Sequence, residues 1–118
     1  MRILSIFLIF AGLAAIIGCG ETEDFDSLAK NGLAAYQNEN YNEAIHLYGK
    51  ALHLKPSDRD ILYNIGSAFF KLNLLDSALV YFHRADILYP ADYAINKELF
   101  RLCSLDRKST RLNSSHRL

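Results

Sequence analysis

The side chains that could carry out chemistry in this chain are few. His46, His53 and His83 are the histidines that precede the last three residues, and none pairs with Cys, Asp or Glu at metal-ligand spacing on an inward face. His46 and His53 share one side of a helix because of their spacing, and we expect them to be solvated. No Ser, Cys or Lys nucleophile has a companion base, and no Gly-rich phosphate loop is present. The sequence therefore predicts neither an enzyme active site nor a metal or other cofactor.

Cys19 is the residue for which the sequence does indicate a chemical role. Met1 and Arg2 give a positive start, residues 3–18 carry no charge, and Cys19 follows at once. The apolar run is shorter than the roughly 20 residues that span a bilayer, and it has the length of a signal-peptide core. We therefore predict an export signal over residues 1–18.

The residues before this cysteine resemble the lipobox of bacterial lipoproteins. Ile16 and Ile17 precede Gly18, a small residue, and Cys19 would be the acyl acceptor and the first residue of the mature chain. The resemblance implies a palmitate-type lipid anchor on Cys19, whose two or three chains bind a membrane firmly. Gly20 is not the aspartate that favours inner-membrane retention, so we expect the outer membrane, facing the periplasm. An ordinary cleaved signal, or an uncleaved anchor with a chance cysteine, is the alternative.

An acidic segment follows the cysteine. Residues 19–24 predict a solvated tether, since Glu21, Glu23 and Asp24 fall within it and Asp26 follows. Acidic residues in this place also resemble the surface-export signals of some bacterial lipoproteins, which would expose the protein on the cell surface.

Residues 25–92 consist of two copies of one repeated unit, 25–58 and 59–92. Sliding the sequence by 34 positions aligns like with like in seven pairs: Leu28 with Leu62, Gly32 with Gly66, Tyr36 with Phe70, Ala44 with Ala78, Tyr48 with Phe82, Ala51 with Ala85, and Pro56 with Pro90. Asp24, Asp58 and Asp92 keep the same step, and each can cap the helix that follows it.

Within a unit, apolar residues recur at helical spacing in two runs, so each unit is predicted to be a helical hairpin. Glycine in a helix costs about 1 kcal/mol relative to alanine, so Gly32 and Gly66 imply close contact between helices. Pro56 and Pro90 end the second helix of each unit. One hairpin cannot bury its apolar faces alone, and we therefore expect the units to stack.

This pattern resembles the tetratricopeptide repeat. The second unit matches each signature place, with Leu62, Ile65, Gly66, Phe69, Ala78, Phe82, Ala85 and Pro90. The first unit departs at Asn31 and Ala35, where apolar and aromatic residues are expected, as suits the outer end of a stack. The resemblance implies an all-α solenoid of two hairpins plus a closing helix, or a partial third repeat, over residues 93–105.

The resemblance also implies a protein or peptide partner in a concave groove lined by the first helix of each hairpin. Carried over position by position, the groove residues are Lys30, Leu33, Tyr36, Gln37, Tyr63, Asn64, Ser67, Phe70, Lys71 and Lys97. Asn64 matches the carboxylate clamp of chaperone-binding repeats, but the basic clamp places hold Ala29, Leu33, Ala94 and Glu98, which disfavours chaperone tails. The rings Tyr36 and Phe70 could equally pack between hairpins.

Residues 93–105 read as an amphipathic helix that lies against the second hairpin. Its apolar positions follow the spacing of a helix: Ile95, Leu99, Leu102 and Cys103. Phe100 and Asn96 replace a small and a large apolar residue of the repeat, which favours a closing helix. We expect Cys103 to be a small buried hydrophobe, with no disulfide implied.

Residues 106–118 break the helical pattern, and we predict that they are disordered. Residues 106–116 can be read as one frame of a common sequencing adapter, so we expect an artefact and a gene that continues past Leu105. Residues 19–105 alone hold eight basic and twelve acidic residues, a net charge of about −4. A mildly acidic domain does not favour nucleic acid as a partner.

Three hypotheses follow from the sequence. The favoured one is a non-enzymatic envelope lipoprotein that binds or scaffolds partner proteins. The second is the amino-terminal docking or sensing part of a longer envelope enzyme or signalling protein cut at residue 105. The third is self-association, in which hairpins stack between chains because two repeats are few.

Overall fold

The structure is a computed structural model that describes residues 23–115. Within that range it contains helices and no strand, so the predicted all-α fold is confirmed. The helices are α1 (Phe25–Gln37), α2 (Tyr41–Leu54), α3 (Arg59–Lys71), α4 (Leu75–Leu88) and α5 (Tyr93–Ser115). The predicted signal over residues 1–18, Cys19 and the tether as far as residue 22 lie outside the described residues.

Each first helix begins at one of the three repeated aspartates. The side chain of Asp24 accepts a 2.7 Å hydrogen bond from the Ser27 amide, and Asp58 accepts one of 3.0 Å from the Ile61 amide. Asp92 repeats the arrangement before α5, where Ile95 N–H donates over 3.1 Å. The predicted caps are confirmed, and each satisfies an amide that would otherwise lack a partner.

The two turns inside the hairpins share one backbone geometry. Glu39 and Asn73 occupy the same place in the two repeats, and both have left-handed backbone, with φ of 62° and 59°. The chain leaves the first helix there and enters the second one two residues later. Pro56 and Pro90 each lie two residues beyond the end of a second helix, as the repeat predicted.

The two helices of a hairpin meet where an aromatic ring lies on a glycine. A Cβ built on Gly32 would come within 2.7 Å of the Tyr48 ring, and one built on Gly66 within 2.9 Å of the Phe82 ring. Both rings are fully buried. Small size at these two positions is therefore a packing requirement, which is why the helices tolerate glycine.

One core cluster joins all five helices. Leu28 of α1, Tyr48 of α2, Leu62 of α3, Ala85 of α4 and Ile95 of α5 belong to it. The four repeated alanines are completely inaccessible to solvent: Ala44, Ala51, Ala78 and Ala85. The hairpins therefore stack into a single body, as predicted.

The first hairpin forms a polar end of this stack. Three residues of α3 are buried, whereas the residues at the same repeat places in α1 are exposed. The buried residues are Ile61, Ile65 and Ala68, and their exposed counterparts are Ser27, Asn31 and Ala34. Ser27 and Asn31 thus place polar side chains in solvent where α3 buries isoleucines, as suits the outer end of a stack.

The α5 helix packs on the second hairpin through one face. Ile95 and Leu102 are buried there and Leu99 is half-buried. Cys103 is exposed, so the prediction that it is a buried hydrophobe was wrong. It holds the repeat place of Phe69, which packs against the second helix of its own hairpin, and within residues 23–115 α5 has no such partner helix.

The structure also differs from the sequence prediction at the end of α5. The helix does not stop at Leu105 but continues through Ser115, and residues 106–114 are exposed. This segment contains neither Gly nor Pro, and its Leu, Lys and Arg residues favour helix. Helix formation does not bear on the proposed adapter origin, which remains a prediction.

Candidate functional site

The candidate site is the surface shared by α1, α3 and α5, which we call the first-helix surface. Tyr36 of α1, Tyr63 and Phe70 of α3, and Glu98 and Arg101 of α5 define it. Residues that are 34 positions apart lie at equivalent places in these three helices. The helices are packed in the same orientation, so equivalent residues face the same side of the stack.

Three of these side chains, one from each first helix, interact electrostatically: Tyr36, Tyr63 and Glu98. Burial raises the pKa of Tyr36, and the nearby Tyr41, Tyr63 and Glu98 raise this pKa further, because each disfavours a phenolate beside it. Tyr36 also meets Tyr41 edge to face, with ring centroids 5.3 Å apart. Side chains from α3 and α5 therefore both affect the ionisation of Tyr36 on α1.

Two charged residues of α5 complete the surface beside Phe70. The guanidinium of Arg101 lies over the Phe70 ring, 5.2 Å from its centroid, and pairs with Glu98 over 3.1 Å. The sequence prediction omitted both as groove residues, although Glu98 holds the repeat place of Asn64 and Arg101 that of Ser67. Applying the same register to the third first-helix would have identified them.

The predicted groove residues fall into two groups by exposure. The exposed group consists of Lys30, Leu33, Gln37, Lys71 and Lys97, and the half-buried group of Tyr36, Tyr63, Asn64, Ser67 and Phe70. An exposed residue can contact a partner without changing the core, whereas a half-buried one also supports the fold. Their role in binding stays a prediction.

Tyr63 shows how the half-buried rings serve the fold. Its ring meets Phe82 edge to face at 5.6 Å, and the Arg59 guanidinium lies 5.5 Å from its centroid. The hydroxyl of Ser67 donates to the Tyr63 carbonyl over 2.9 Å. Tyr63 thus forms part of the first-helix surface and also covers the core residue Phe82.

The histidines do not gather into a metal site in the part of the chain that the structure describes. His46, His53 and His83 are exposed. No group of three His, Cys, Asp or Glu side chains between residues 23 and 115 could hold a metal ion. None of the helices α1 to α5 is long and apolar enough to cross a lipid bilayer.

The matching family fits this geometry. A model of the tetratricopeptide repeat family matches residues 30–93, which is more than half of the chain. The chain belongs to the tetratricopeptide repeat family. No curated protein sequence matches it at a significant level.

Two solved structures of repeat domains are similar to this chain at low sequence identity. The first repeat domain of the human RPAP3 protein, determined by NMR, is similar with a TM-score of 0.68 and 20% identity over 76% of this chain and 72% of that one. The first repeat domain of Spaghetti (RPAP3), bound to the HSP90 peptide SRMEEVD, covers 72% of this chain and 94% of its own at 18% identity, with a TM-score of 0.38.

Proposed function

We propose that this protein holds polypeptide partners on the first-helix surface and is anchored to a bacterial envelope membrane through acylated Cys19. The observation that carries the first part is a set of three half-buried rings on the same side of the first helices, Tyr36, Tyr63 and Phe70. The Arg101–Glu98 ion pair lies beside Phe70. Rings of this kind supply most of the binding energy at protein interfaces, and charges beside them set specificity.

The charges on this surface describe the partner further. Lys30, Lys71 and Lys97 are exposed along the three first helices, and the Glu98 carboxylate is largely covered by its pair with Arg101. A partner segment with apolar anchors for the rings and carboxylates for the lysines fits this arrangement. A terminal carboxylate bound as by chaperone-tail repeats is disfavoured, because Glu98 occupies a place that would need a cation.

The experiment for the first part uses photo-crosslinking in the cell. A photoreactive amino acid replaces Leu33, which is 47% exposed on α1, and in a matched variant it replaces Val80, which is 64% exposed on α4. We expect discrete protein adducts from position 33 and none of the same mass from position 80. Adducts that are identical at both positions, or absent at position 33 in the native envelope, would contradict the proposal.

The second part has a separate test. Replacing Cys19→Ser removes the acyl acceptor, so we expect the protein to move from the membrane to the soluble envelope fraction. Retention of the variant in the membrane at the level of the parent protein would argue against acylation. The two tests are independent, because crosslinking at position 33 reports the surface whatever holds the protein in place.

A further inference from the structure

One edge of the stack differs in composition from the other. The tether edge is where α1, α3 and α5 begin and where α2 and α4 end, and the turn edge is where the two hairpins turn. The tether edge carries five exposed large hydrophobic residues: Leu54, Ile87, Leu88, Tyr89 and Tyr93. The turn edge carries mostly amides and carboxylates: Gln37, Asn38, Glu39, Asn40, Asn42, Glu43, Asn73 and Asp76, with Leu74 as its exposed large hydrophobic residue.

Hydrogen bonds join the tether edge into one continuous surface. The Tyr89 hydroxyl donates to the Ser57 carbonyl over 2.6 Å, and Arg84 donates to the Pro56 carbonyl over 2.8 Å. These bonds connect the end of α4 with the loop between α2 and α3. The exposed apolar side chains therefore sit on a fixed surface.

The same edge is fastened to the start of the described chain. Lys50 of α2 pairs with Glu23 over 2.8 Å, and the Lys55 ammonium lies 3.8 Å from the centroid of the Phe25 ring. Glu23 is the fourth residue after Cys19, and an extended chain of that length spans at most about 14 Å. An acyl anchor on Cys19 would therefore keep this edge close to the lipid headgroups.

We propose that the tether edge rests on the lipid bilayer surface, with Ile87, Leu88 and Tyr93 entering the headgroup region. The inference rests on the proposed acylation of Cys19. Tyr93 is 80% and Ile87 79% exposed, and they lie on the same edge as the exposed Leu54, Leu88 and Tyr89. A group of exposed apolar side chains, unlike a single one, marks an interaction surface. Tyrosine and aliphatic side chains bordered by lysines are the composition that membrane interfaces prefer, since the rings are amphipathic and lysine stems reach past apolar surface.

The charges of the edge favour a zwitterionic bilayer over a strongly anionic one. Lys55, Arg84 and Lys97 are exposed near the apolar residues, while Asp26 and Asp60 are exposed carboxylates at the starts of α1 and α3. Asp60 pairs with Arg59, and four further carboxylates are engaged as helix caps or ion pairs: Glu23, Asp24, Asp58 and Asp92. Apolar burial, rather than net charge, is therefore the main attraction.

This orientation determines how the protein meets its partners. The helix ends form the edge, so the helices stand on the bilayer and the stack runs along it. The first-helix surface then opens sideways, and the turn edge faces away from the lipid.

The test uses tryptophan as a depth reporter, because the chain contains none. Tyr93→Trp places the reporter on the tether edge, and Leu74→Trp places it on the turn edge, where Leu74 is 49% exposed. The full acylated chain is reconstituted into phosphatidylcholine vesicles that carry bromine on their acyl chains. We expect the reporter at position 93 to shift to shorter wavelength and to be quenched several-fold more than the reporter at position 74.

A second variant ties the signal to this edge. Ile87→Ser in the position-93 reporter protein should reduce the quenching, whereas Phe100→Ser, which alters a similarly exposed residue on α5, should not. Equal quenching at positions 93 and 74, or an unchanged signal in Ile87→Ser, would overturn the proposal and leave the edge to a protein partner.

Flotation of the vesicles separates this inference from the proposed anchor. If the protein floats but the reporter at position 93 is not selectively quenched, the anchor is supported and the contact between the tether edge and the bilayer is rejected. If the protein does not float, the anchor fails, and the vesicles are then titrated to high lipid concentration. Selective quenching at position 93 that rises with lipid supports the edge, and its absence rejects it.

Discussion

At the scale of single residues, the two hairpins can be compared position by position, because equivalent places hold different residues in the same packing environment. Tyr48 and Phe82 occupy the same place, each against a glycine, yet only Tyr48 carries a hydroxyl. That hydroxyl is buried and has no hydrogen-bond partner. Burial raises the pKa of Tyr48 to about 12, since the phenolate would lose its hydration. A buried polar atom without a partner lowers stability, and the second hairpin shows the apolar solution.

Tyr48→Phe is therefore expected to raise the free energy of unfolding by about 1 kcal/mol at neutral pH. The raised pKa adds a pH dependence, because the unfolded tyrosine ionises near 10.0 while the folded one does not ionise until about 12. The parent protein should lose stability as pH rises through this window, and the variant should lose less. Urea unfolding at neutral and alkaline pH measures both effects. A variant less stable than the parent at neutral pH would show that the hydroxyl has a partner in solution.

At the scale of helices, the packing follows from glycine placement. Gly66 meets the Phe82 ring, whereas Gly49 of α2 has open space where a Cβ would be added. The sequence distinguishes the two glycines only through the repeat, since Gly66 has Gly32 as its counterpart and Gly49 has His83. The period thus separates a packing glycine from an incidental one.

Gly66→Ala and Gly49→Ala form a matched pair with opposite expected signs. Alanine at position 49 should raise the free energy of unfolding by about 1 kcal/mol through helix propensity. Alanine at position 66 gains the same amount but must displace the Phe82 ring, and overpacking costs about 1–3 kcal/mol, so a net loss of about 1 kcal/mol is expected. Chemical denaturation of both variants makes the comparison. Stabilisation by Gly66→Ala would show that the ring moves without cost.

The repeat explains which features of the helices could be predicted. Caps at Asp24, Asp58 and Asp92 and the hairpin core followed from equivalent positions in successive repeats, because each copy supports the other. The prediction that Cys103 is buried was wrong because burial at this repeat position requires a second helix beside it. That requirement cannot be read from the residue itself. The prediction that α5 ends at Leu105 was wrong because a change of composition does not by itself stop a helix. Glu98 and Arg101 were not predicted as surface residues because α5 was interpreted as a closing helix and not as the first helix of a third repeat.

At the scale of the whole molecule, stability depends on contact between neighbouring units. The core cluster runs from Leu28 to Ile95, so α5 contributes to the same body as the hairpins. Repeat proteins gain much of their stability at such interfaces. The surfaces proposed for partners and for lipid belong to three first-helices and five helix ends, and neither exists in an isolated hairpin.

Leu102→Ala should therefore destabilise the entire stack by about 2–4 kcal/mol, because Leu102 is buried between α4 and α5. Phe100→Ala is the control: Phe100 is 76% exposed on the same helix, and a change of less than about 0.5 kcal/mol is expected. Circular dichroism during thermal unfolding reports all helices at once. Equal effects of the two variants would mean that α5 does not dock as described.

The two faces of α5 also determine how the molecule could be lengthened. Its docking side repeats α3, with Asp92, Ile95 and Leu102 at the places of Asp58, Ile61 and Ala68, so it accepts the end of a preceding hairpin. Its other side places Phe100 where the hairpins have glycine. An engineer who splices a duplicate of residues 59–92 in front of α5 offers it a surface it already fits. A second helix like α4 placed behind α5 would press its aromatic ring upon Phe100, so a new hairpin built on α5 would first need a small residue at that position.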